Sequence, residues 1–324
     1  MRRAALIYNP ASGQHSARRA SYIRSALDEL RKAGIETEAL ETHAPGSARS
    51  LAQSAIRQGC DAILAAGGDG TVHEALQSVV GTEVALGVVP LGTANALAQN
   101  LGLGRSPVKA VRALIGAAPV EVPVGKIYFQ SANGAESWRY FTGAAGIGAD
   151  ALLMSSMDPA MKRRYGYALY VIEAFRIWAT NPFPYFDASF SVNGNGNGNG
   201  NGNGHQRVEQ VSQLLAVRIR SFGGVLGTLA PGATLHKHTL SLMAFNTRSR
   251  LDYLRFLLAT VVGRQSFERS VELIDADAVD CRPSNGFSAK LLVEADGEVL
   301  GSLPARLEVA RETVRLLIPP HAEP

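Results

Sequence analysis

The chain has 324 residues, of which 32 are Lys or Arg and 28 are Asp or Glu, so its formal charge is +4. This small positive charge excludes a protein that binds nucleic acid mainly through a basic surface. A hydrophobic content of 46% is ordinary for a globular protein and excludes wholesale disorder. The length predicts about two domains, each large enough to bury its own core.

The cysteines and the apolar segments indicate a cytoplasmic protein. Cys60 and Cys281 have no spacing typical of a zinc site or a disulfide framework. The first apolar run stops at Asn9-Pro10, too early for the hydrophobic part of a signal peptide. The apolar stretch 251–263 contains charged residues and is shorter than the roughly 20 residues that span a bilayer. We therefore expect a cytoplasmic chain whose contact with the inner membrane face is peripheral.

In the first 120 residues, short apolar runs alternate with helical patterns. The predicted elements, in chain order, are 4–8, 16–33, 37–40, 47–58, 61–66, 71–80 and 84–89. This alternation predicts an α/β domain with a Rossmann-like parallel sheet. Ligands bind such sheets at the carboxyl ends of the strands, so we expect the loops 9–13, 67–71 and 90–94 to converge on one crevice.

After residue 120 the pattern changes to short strands, which predicts a mostly antiparallel β-sandwich domain. The predicted strands are 125–129, 139–143, 186–192, 214–219, 240–246, 271–281, 289–294, 306–309 and 314–318, with helices at 165–179 and 251–262. We place the domains at 1–122 and 123–324, and consider the last strand as one that returns to the first domain. The Asn-Gly repeat at 193–204 is expected to be a loop without chemistry.

The strongest local motif is Gly67-Gly-Asp-Gly-Thr71, between a predicted strand and a predicted helix. Glycines let backbone N–H groups approach phosphate oxygens, and a helix N-terminus favours negative charge. A carboxylate at Asp69 in such a loop points to Mg²⁺, bound directly or through water; the alternative is a tight turn with Asp69 as a helix cap. Pro90-Leu-Gly-Thr-Ala-Asn95 repeats the design at a second strand-to-helix junction, with capping as the alternative.

Four motifs then occur in a characteristic order. They are Asn9-Pro-x-Ser-Gly13, Thr42 followed by Gly46, Gly67-Gly-Asp-Gly-Thr71 and Pro90-Leu-Gly-Thr-x-Asn95. With them the chain resembles the diacylglycerol kinase and sphingosine kinase catalytic-domain family, in particular its soluble bacterial lipid kinases. The resemblance extends through Gly146-x-Gly-x-Asp150, the segment 162–168 and Asp296-Gly-Glu298, and so covers nearly the whole chain.

The resemblance implies a kinase that uses ATP and Mg²⁺ to phosphorylate a lipid hydroxyl between the two domains, with diacylglycerol as the family default. The nucleotide-binding residues implied in this way are Asn9, Ser12, Thr42, Gly67, Gly68, Asp69, Gly70, Thr71, Gly92, Thr93 and Asn95. The catalytic residues are Glu298 as general base, Asp69 and Asp296, and the substrate residues are Asp150, Arg163 and Arg164. A positioned carboxylate that takes the hydroxyl proton, while cations offset the phosphate charge, is a sufficient mechanism. For Asp296-Gly297 the alternative is a hairpin turn.

The chain departs from the family pattern at three places. Ala96 follows the Asn of the third loop, where the family usually has Asp, and Pro123 stands where many members have another Asp. In the bacterial members both acids belong to a water-mediated Mg²⁺ network. In this chain Asp69 is the one acidic residue that the motifs assign to that network. Relatives with a structural metal site carry Asp-Gly where this chain has Lys237-His238, and we hypothesise that the Lys237 ammonium replaces the charge of that metal.

Two further sets of residues have alternative interpretations. His236 and His238 would share one face of a strand and could hold a metal, but without a third ligand we expect them to face solvent. The cations 162–164 precede a helix rich in aromatic residues. In one interpretation the cations contact phosphates or anionic headgroups while the aromatic residues line an acyl pocket or a membrane interface. In the other, the segment is an ordinary amphipathic helix with a charged start.

The leading hypothesis is therefore a lipid kinase with a nucleotide and a membrane lipid as its partners, and we also consider a homodimer. The first alternative is a catalytically weak protein that binds nucleotide and lipid, because of Ala96 and Pro123. The second is an NAD kinase, which shares Gly-Gly-Asp-Gly-Thr; against it, Pro90-Leu-Gly-Thr-x-Asn95 is the lipid-kinase form of the next loop.

Overall fold

The computed structural model of the protein describes residues 1–13, 16–157, 167–192, 205–222, 229–230, 232–261, 270–284, 290–320 and 322. The Asn-Gly repeat and two of the predicted substrate residues, Arg163 and Arg164, lie outside the described residues.

The N-terminal part of the chain, called here the parallel region, contributes four parallel strands to the sheet, and helices cover them. Its strands are β1 Arg3–Tyr8, β2 Glu36–Glu41, β3 Ala62–Gly67 and β4 Ala85–Pro90. Its helices are α1 Ser16–Lys32, α2 Ser47–Arg57, α3 Asp69–Val79, α4 Ala96–Asn100 and α5 Pro107–Ile115. The strands are parallel in the order β2-β1-β3-β4. Every residue of β3 and β4 is buried, as helices on both faces require, so this part of the predicted fold is confirmed.

The rest of the chain, called here the sandwich region, is mostly antiparallel. Its strands are β5 Ala118–Gln130, β6 Glu136–Phe141, β7 Ala144–Ile147, β8 Phe186–Val192, β9 His205–Val211, β10 Gln213–Val217, β11 Leu240–Phe245, β12 Val271–Ala276, β13 Ala278–Pro283, β14 Leu292–Ala295 and β15 Glu298–Ile318. Its helices are α6 Ala149–Ser155, α7 Tyr167–Thr180 and α8 Arg250–Val261. Strands β12-β11-β10-β7-β14 form one run and β9-β8-β13 another; both meet β15 and enclose an apolar core. The predicted sandwich is therefore confirmed.

Strands β5 and β15 connect the two regions. They pair along most of their length, and β15 also pairs in parallel with β4 through Arg315 and Leu316. The two strands predicted at 306–309 and 314–318 are therefore one, with an irregular register between Val309 and Thr313. The sequence predicted two strands because partly exposed polar residues interrupt the apolar pattern where the single strand passes between the regions.

One predicted strand is divided in the structure. The apolar run 271–281 breaks at Asp277, whose N–H donates to the carbonyl of Ser191, so β12 and β13 join different runs of strands. Within the described ranges, no helix is both long and apolar enough to cross a bilayer.

Candidate functional site

The three loops that the motifs predicted to converge are in contact through their backbones. The Ser12 hydroxyl accepts a hydrogen bond from the N–H of Gly68 at 3.3 Å. A Cβ atom on Gly13, whose φ is +72°, would lie 2.3 Å from the Leu91 carbonyl oxygen, and one on Gly92 would lie 2.5 Å from Cα of Gly68. The glycines are therefore required because the loops touch where side chains would collide.

Asp69 joins the second loop to the third. Its carboxylate accepts hydrogen bonds from the N–H groups of Asn95 at 3.0 Å and Ala96 at 2.8 Å, at the start of α4. Asn95 itself has a left-handed backbone, and its amide exchanges two 2.8 Å hydrogen bonds with the backbone of Gly92. Asp69 and Asn95 thus hold the rim of the crevice in one shape.

The fit of Asp69 to Mg²⁺ follows from these contacts. Both of its oxygens already accept backbone hydrogen bonds, and Ala96 adds no second carboxylate. The described ranges contain no group of three or more His, Cys, Asp or Glu residues arranged to hold an ion. Mg²⁺ is often bound mainly by water and substrate phosphates with one or two carboxylates. The residues present therefore fit an ion that arrives with a nucleotide and meets Asp69 through water.

The loop that follows β2 is fixed to α3 by a residue that sequence reasoning missed. Glu74 accepts hydrogen bonds from the N–H groups of Gly46 at 2.7 Å and Ala48 at 2.9 Å, at the N-terminus of α2. Thr42 precedes this turn, is buried, and donates its own N–H to the Tyr8 carbonyl. The sequence signal for this role of Glu74 was its position about one turn into the helix that follows the glycine motif.

Glu298 reaches this crevice from the sandwich region. A Cβ atom on Gly70 would lie 2.5 Å from Oε1 of Glu298, so the carboxylate lies directly against the glycine loop. Glu298 is nevertheless exposed. The geometry thus brings an exposed carboxylate beside the predicted phosphate site.

Asp296 holds the turn that presents Glu298. Asp296 and Gly297 both have positive φ and form the two-residue hairpin between β14 and β15. The carboxylate of Asp296 accepts four hydrogen bonds, from the N–H groups of Thr142 (3.0 Å), Gly143 (2.7 Å) and Ala144 (3.1 Å) and from Nδ1 of His73 (3.3 Å). With both oxygens engaged in this way, the side chain is suited to positioning the turn.

His73 was also missed by sequence reasoning, and it connects α3 to that turn. The side chain of His73, on α3, is buried; Nδ1 faces Oδ2 of Asp296, and Nε2 has no partner in the described part of the chain. The helix that begins at the glycine loop and the hairpin that carries Glu298 are thereby linked side chain to side chain.

Asp150 and Glu294 form a buried pair of carboxyl groups next to the same hairpin. Oδ2 of Asp150 occupies the space where Gly146 would carry a Cβ, 1.4 Å from that position. Gly146 is the cross-strand neighbour of Glu294 in the β7–β14 pair, so Asp150 stands where a side chain facing Glu294 would be. Glu294 accepts a hydrogen bond from the N–H of Gly297 at 2.9 Å, and the N–H of Ala151 and the carboxyl group of Glu294 lie close to the Asp150 carboxylate.

The surroundings of this pair favour protonation. Burial raises the pKa of Asp150 to about 7. The pKa of Glu294 is raised well above its usual value, first by burial and then by the charge of Asp150. Two such acids cannot both ionise cheaply at short distance, so the pair retains a proton near neutral pH.

The remaining predicted residues lie as follows. Asn9 and Thr93 are in the first and third loops; the side-chain oxygen of Asn9 accepts the N–H of Ala11, and Thr93 is exposed. Thr71 is buried against Gly67. The structure thus brings the predicted nucleotide residues together at the carboxyl ends of the parallel strands, with Glu298 and Asp296 facing them and Asp150 behind.

Comparisons with known proteins agree with this arrangement. Residues 3–127 match the family described as Diacylglycerol kinase catalytic domain, and residues 143–318 match the YegS C-terminal NAD kinase beta sandwich-like domain. A diacylglycerol kinase of Bacillus subtilis (strain 168) is 25% identical over 98% of this chain and 97% of its own. One of Mycobacterium tuberculosis (strain ATCC 25618 / H37Rv) is 27% identical over 97% of this chain and 94% of its own.

Solved structures share the fold. The crystal structure of a diacylglycerol kinase from Bacillus anthracis str. Sterne superimposes with a TM-score of 0.67 at 16% identity, covering 99% of this chain and 98% of that one. A second structure from the same strain gives a TM-score of 0.75 at 18% identity, covering 99% of this chain and 96% of that one.

Proposed function

We propose that this chain, which belongs to the diacylglycerol kinase-like family of lipid kinases, transfers the γ-phosphate of ATP to the hydroxyl of a diacylglycerol-like lipid. The observation that carries the proposal is the contact between Glu298 and Gly70. It joins a proton acceptor on the sandwich region to the glycine loop of the parallel region. A phosphate donor in the loop and an acceptor hydroxyl at Glu298 would meet at this contact.

In the proposed reaction the glycine loops and the start of α3 bind the nucleotide phosphates through backbone N–H groups. Asp69 keeps the second and third loops together and would hold a hydrated ion that binds with the nucleotide. Mg²⁺, when bound with the nucleotide, supplies positive charge that offsets the charge of the phosphates. Glu298 accepts the proton of the lipid hydroxyl as that oxygen attacks phosphorus. Asp296 is proposed as a positioning residue, because its carboxylate already accepts hydrogen bonds from four donors.

The lipid is proposed to enter from the side of Asp150. Once a lipid has displaced the groups that cover the pair in this structure, an acid pair that keeps one proton would both accept a hydrogen bond from a hydroxyl and donate one to an ester oxygen. Helices α7 and α8 expose apolar side chains toward solvent, among them Phe175 and Leu258, and provide a surface for a membrane. A neutral lipid with a free hydroxyl and ester groups matches both features.

The proposal is tested by transfer of labelled γ-phosphate from MgATP to a panel of lipids in mixed micelles. We expect label in one lipid class and a fall in kcat of about 10²- to 10⁴-fold for Glu298→Gln, because the amide cannot accept the proton. The melting temperature of this variant should be that of the wild type, since Glu298 is exposed.

Asp296→Ala is the matched comparison on the same turn. This change leaves four hydrogen-bond donors without their acceptor. The free energy of unfolding should therefore fall by about 3 kcal/mol, and the melting temperature and the activity should fall with it. Loss of activity in Glu298→Gln that merely tracks lost stability would contradict the proposed role of Glu298.

Ala96 and Pro123 stand where many family members have Asp. The absence of these two carboxylates favours a second candidate function, that of a protein that binds nucleotide and lipid with little turnover. Measurable ATP binding without label in any lipid would support that function. Label in NAD in place of lipid would support an NAD kinase.

A further inference from the structure

The most unusual charged residue of the sandwich region is Arg218, which follows β10 and is 1% exposed. One of its terminal nitrogens, Nη2, lies within hydrogen-bond distance of three backbone carbonyl oxygens: Pro123 at 2.9 Å, Leu235 at 3.0 Å and Lys237 at 3.2 Å. An NH₂ group has only two hydrogens, so three oxygens around one nitrogen indicate attraction to its positive charge as well as hydrogen bonding. Such a cluster of oxygens is the environment that a hard metal cation takes in other proteins.

These oxygens come from two separate parts of the chain. Pro123 lies in β5, the strand that runs from the parallel region into the sandwich region. Leu235 and Lys237 lie in the segment 232–239, which leads into β11. The N–H of Arg218 also donates to the carbonyl of Gly143, a residue whose own N–H donates to Asp296. The backbone of Arg218 is therefore linked through Gly143 to Asp296, in the hairpin that presents Glu298.

The side chain of Lys237, the cation of the sequence hypothesis, has other partners than these oxygens. The Lys237 ammonium, expected to replace a structural metal, instead contacts Oδ1 of Asp275 at 2.5 Å and the Ser241 hydroxyl at 3.2 Å. Asp275 is more than half exposed, so this is a surface ion pair. His236 and His238 are exposed, as the sequence predicted, and no cluster of three candidate ligands is present in the described ranges.

The structural metal implied by the resemblance does not fit here, because a guanidinium already lies among the oxygens that would ligate it. A divalent ion at the same place would be repelled by Arg218 at close range. The charge of Asp296 favours the protonated guanidinium; burial lowers the pKa of Arg218 to about 10, which still leaves it charged at neutral pH.

We propose that Arg218 is a built-in cation that replaces a structural metal ion, joining β5 to the segment 232–239 and positioning the Asp296–Glu298 hairpin. The fold of this chain then needs no divalent ion, and any requirement for one belongs to the nucleotide. The inference goes beyond the proposed kinase activity and holds whichever lipid is the substrate.

The first arm of the test uses the wild-type chain without nucleotide. Metal content is measured by mass spectrometry after desalting, and the melting temperature is measured with EDTA and with millimolar Mg²⁺ or Ca²⁺. We expect much less than one ion per chain and the same melting temperature in all three conditions. A stoichiometric ion that is removed by EDTA with a fall in melting temperature would overturn the proposal.

The second arm compares Arg218→Ala and Arg218→Lys with Lys237→Ala, which removes the ammonium group of the segment 232–239. Arg218→Ala should lower the melting temperature by about 10 °C, because three buried carbonyl groups lose their partner. Millimolar guanidinium or a divalent ion should restore part of that loss, while sodium at equal ionic strength should not. Lys237→Ala and the wild type should not respond to these ions.

Arg218→Lys keeps a cation within reach of the oxygens, so it should fold and remain independent of metal even if Arg218→Ala does not fold. An Arg218→Ala variant that folds and is indifferent to guanidinium and divalent ions would contradict the proposal. So would an equal response of Lys237→Ala to the same ions. None of these readouts depends on kinase activity, so failure of the proposed function and failure of this inference are distinguished.

Discussion

At the scale of single residues, the site depends on how closely Glu298 approaches Gly70. Oε1 of Glu298 would lie only 2.5 Å from a Cβ atom on residue 70, and the carboxylate is the end of a flexible, exposed side chain. Adding a methyl group at residue 70 would therefore displace Glu298, the proposed general base, without disturbing the core. The loop can be changed at this position with little effect on folding and a large effect on chemistry.

We accordingly expect Gly70→Ala to reduce kcat about tenfold or more while the melting temperature stays the same or rises, since Ala favours a helix. The control is Gly116→Ala, because a Cβ atom there meets nothing within 4 Å and its φ is −90°. Steady-state kinetics and thermal unfolding of both variants test this. Equal activity of the two variants would argue against a catalytic role for the contact.

A second residue-scale prediction concerns the acid pair of Asp150 and Glu294. Between about pH 4 and pH 7 the folded chain keeps a proton on this pair that the unfolded chain has released. The pair's contribution to the free energy of unfolding therefore falls as pH rises through this window. Glu294→Gln removes the like charge and offers Asp150 an amide donor, so the variant should be more stable than the wild type at pH 8, with a smaller difference at pH 5.

Denaturant unfolding at the two pH values measures this difference. The control is Glu136→Gln, the same change on an exposed position of β6. A stability gain for Glu294→Gln that is equal at both pH values would show that the pair does not titrate in this range.

At the scale of elements, α7 and α8 form one exposed apolar surface. The helices are joined at one end, where the Trp178 indole donates to the Arg250 carbonyl at 2.8 Å and the Arg250 guanidinium returns a bond of 3.1 Å. Seven large apolar side chains on the two helices are more than one third exposed: Val171, Ile172, Phe175, Leu251, Leu254, Leu257 and Leu258. An apolar helix face of this kind, with arginines near it, is typical of a helix that lies in a membrane interface.

We expect the double change Phe175→Ser with Leu258→Ser to weaken binding to anionic vesicles on the order of tenfold to hundredfold, because each apolar side chain contributes about 1.5 kcal/mol or more when buried. Activity on a short-chain, water-soluble lipid should be retained. Val208→Ser is the control, since Val208 is 63% exposed on β9 and Phe175 is 65% exposed. Vesicle sedimentation measures binding, and equal loss in the control would contradict a specific surface.

At the scale of the whole molecule, the long strands β5 and β15 make one hydrogen-bonded sheet of both regions. Because β15 pairs with β4, β5, β13 and β14, neither region can lose this strand without affecting the other. We expect a single cooperative unfolding transition. Both tryptophans, Trp138 and Trp178, lie in the sandwich region, so their fluorescence reports that region alone while far-ultraviolet circular dichroism reports the whole chain. Coincident urea transitions by both probes are expected, and separate midpoints would contradict the prediction.

Several features of this protein followed from local sequence. The apolar runs and glycine turns at Gly67–Thr71 and Pro90–Asn95 predicted parallel strands that end in a shared crevice, because strand burial and positive-φ turns depend on nearby residues. The hairpin turn at Asp296-Gly297, which the sequence offered as an alternative to a catalytic role, also depends on nearby residues alone. These local preferences determined the class of fold and the location of the site.

Contacts between distant parts of the chain required the tertiary structure. His73 meets Asp296, Asp150 comes beside Glu294, and Glu298 lies against Gly70, although each pair is far apart in sequence. The role expected of Lys237 is the one proposed here for Arg218, for which the available signal was one charged residue inside the predicted apolar strand 214–219. Side-chain partners of this kind depend on strand register and on how the two regions meet. Periodicity and motif spacing carry no information about either.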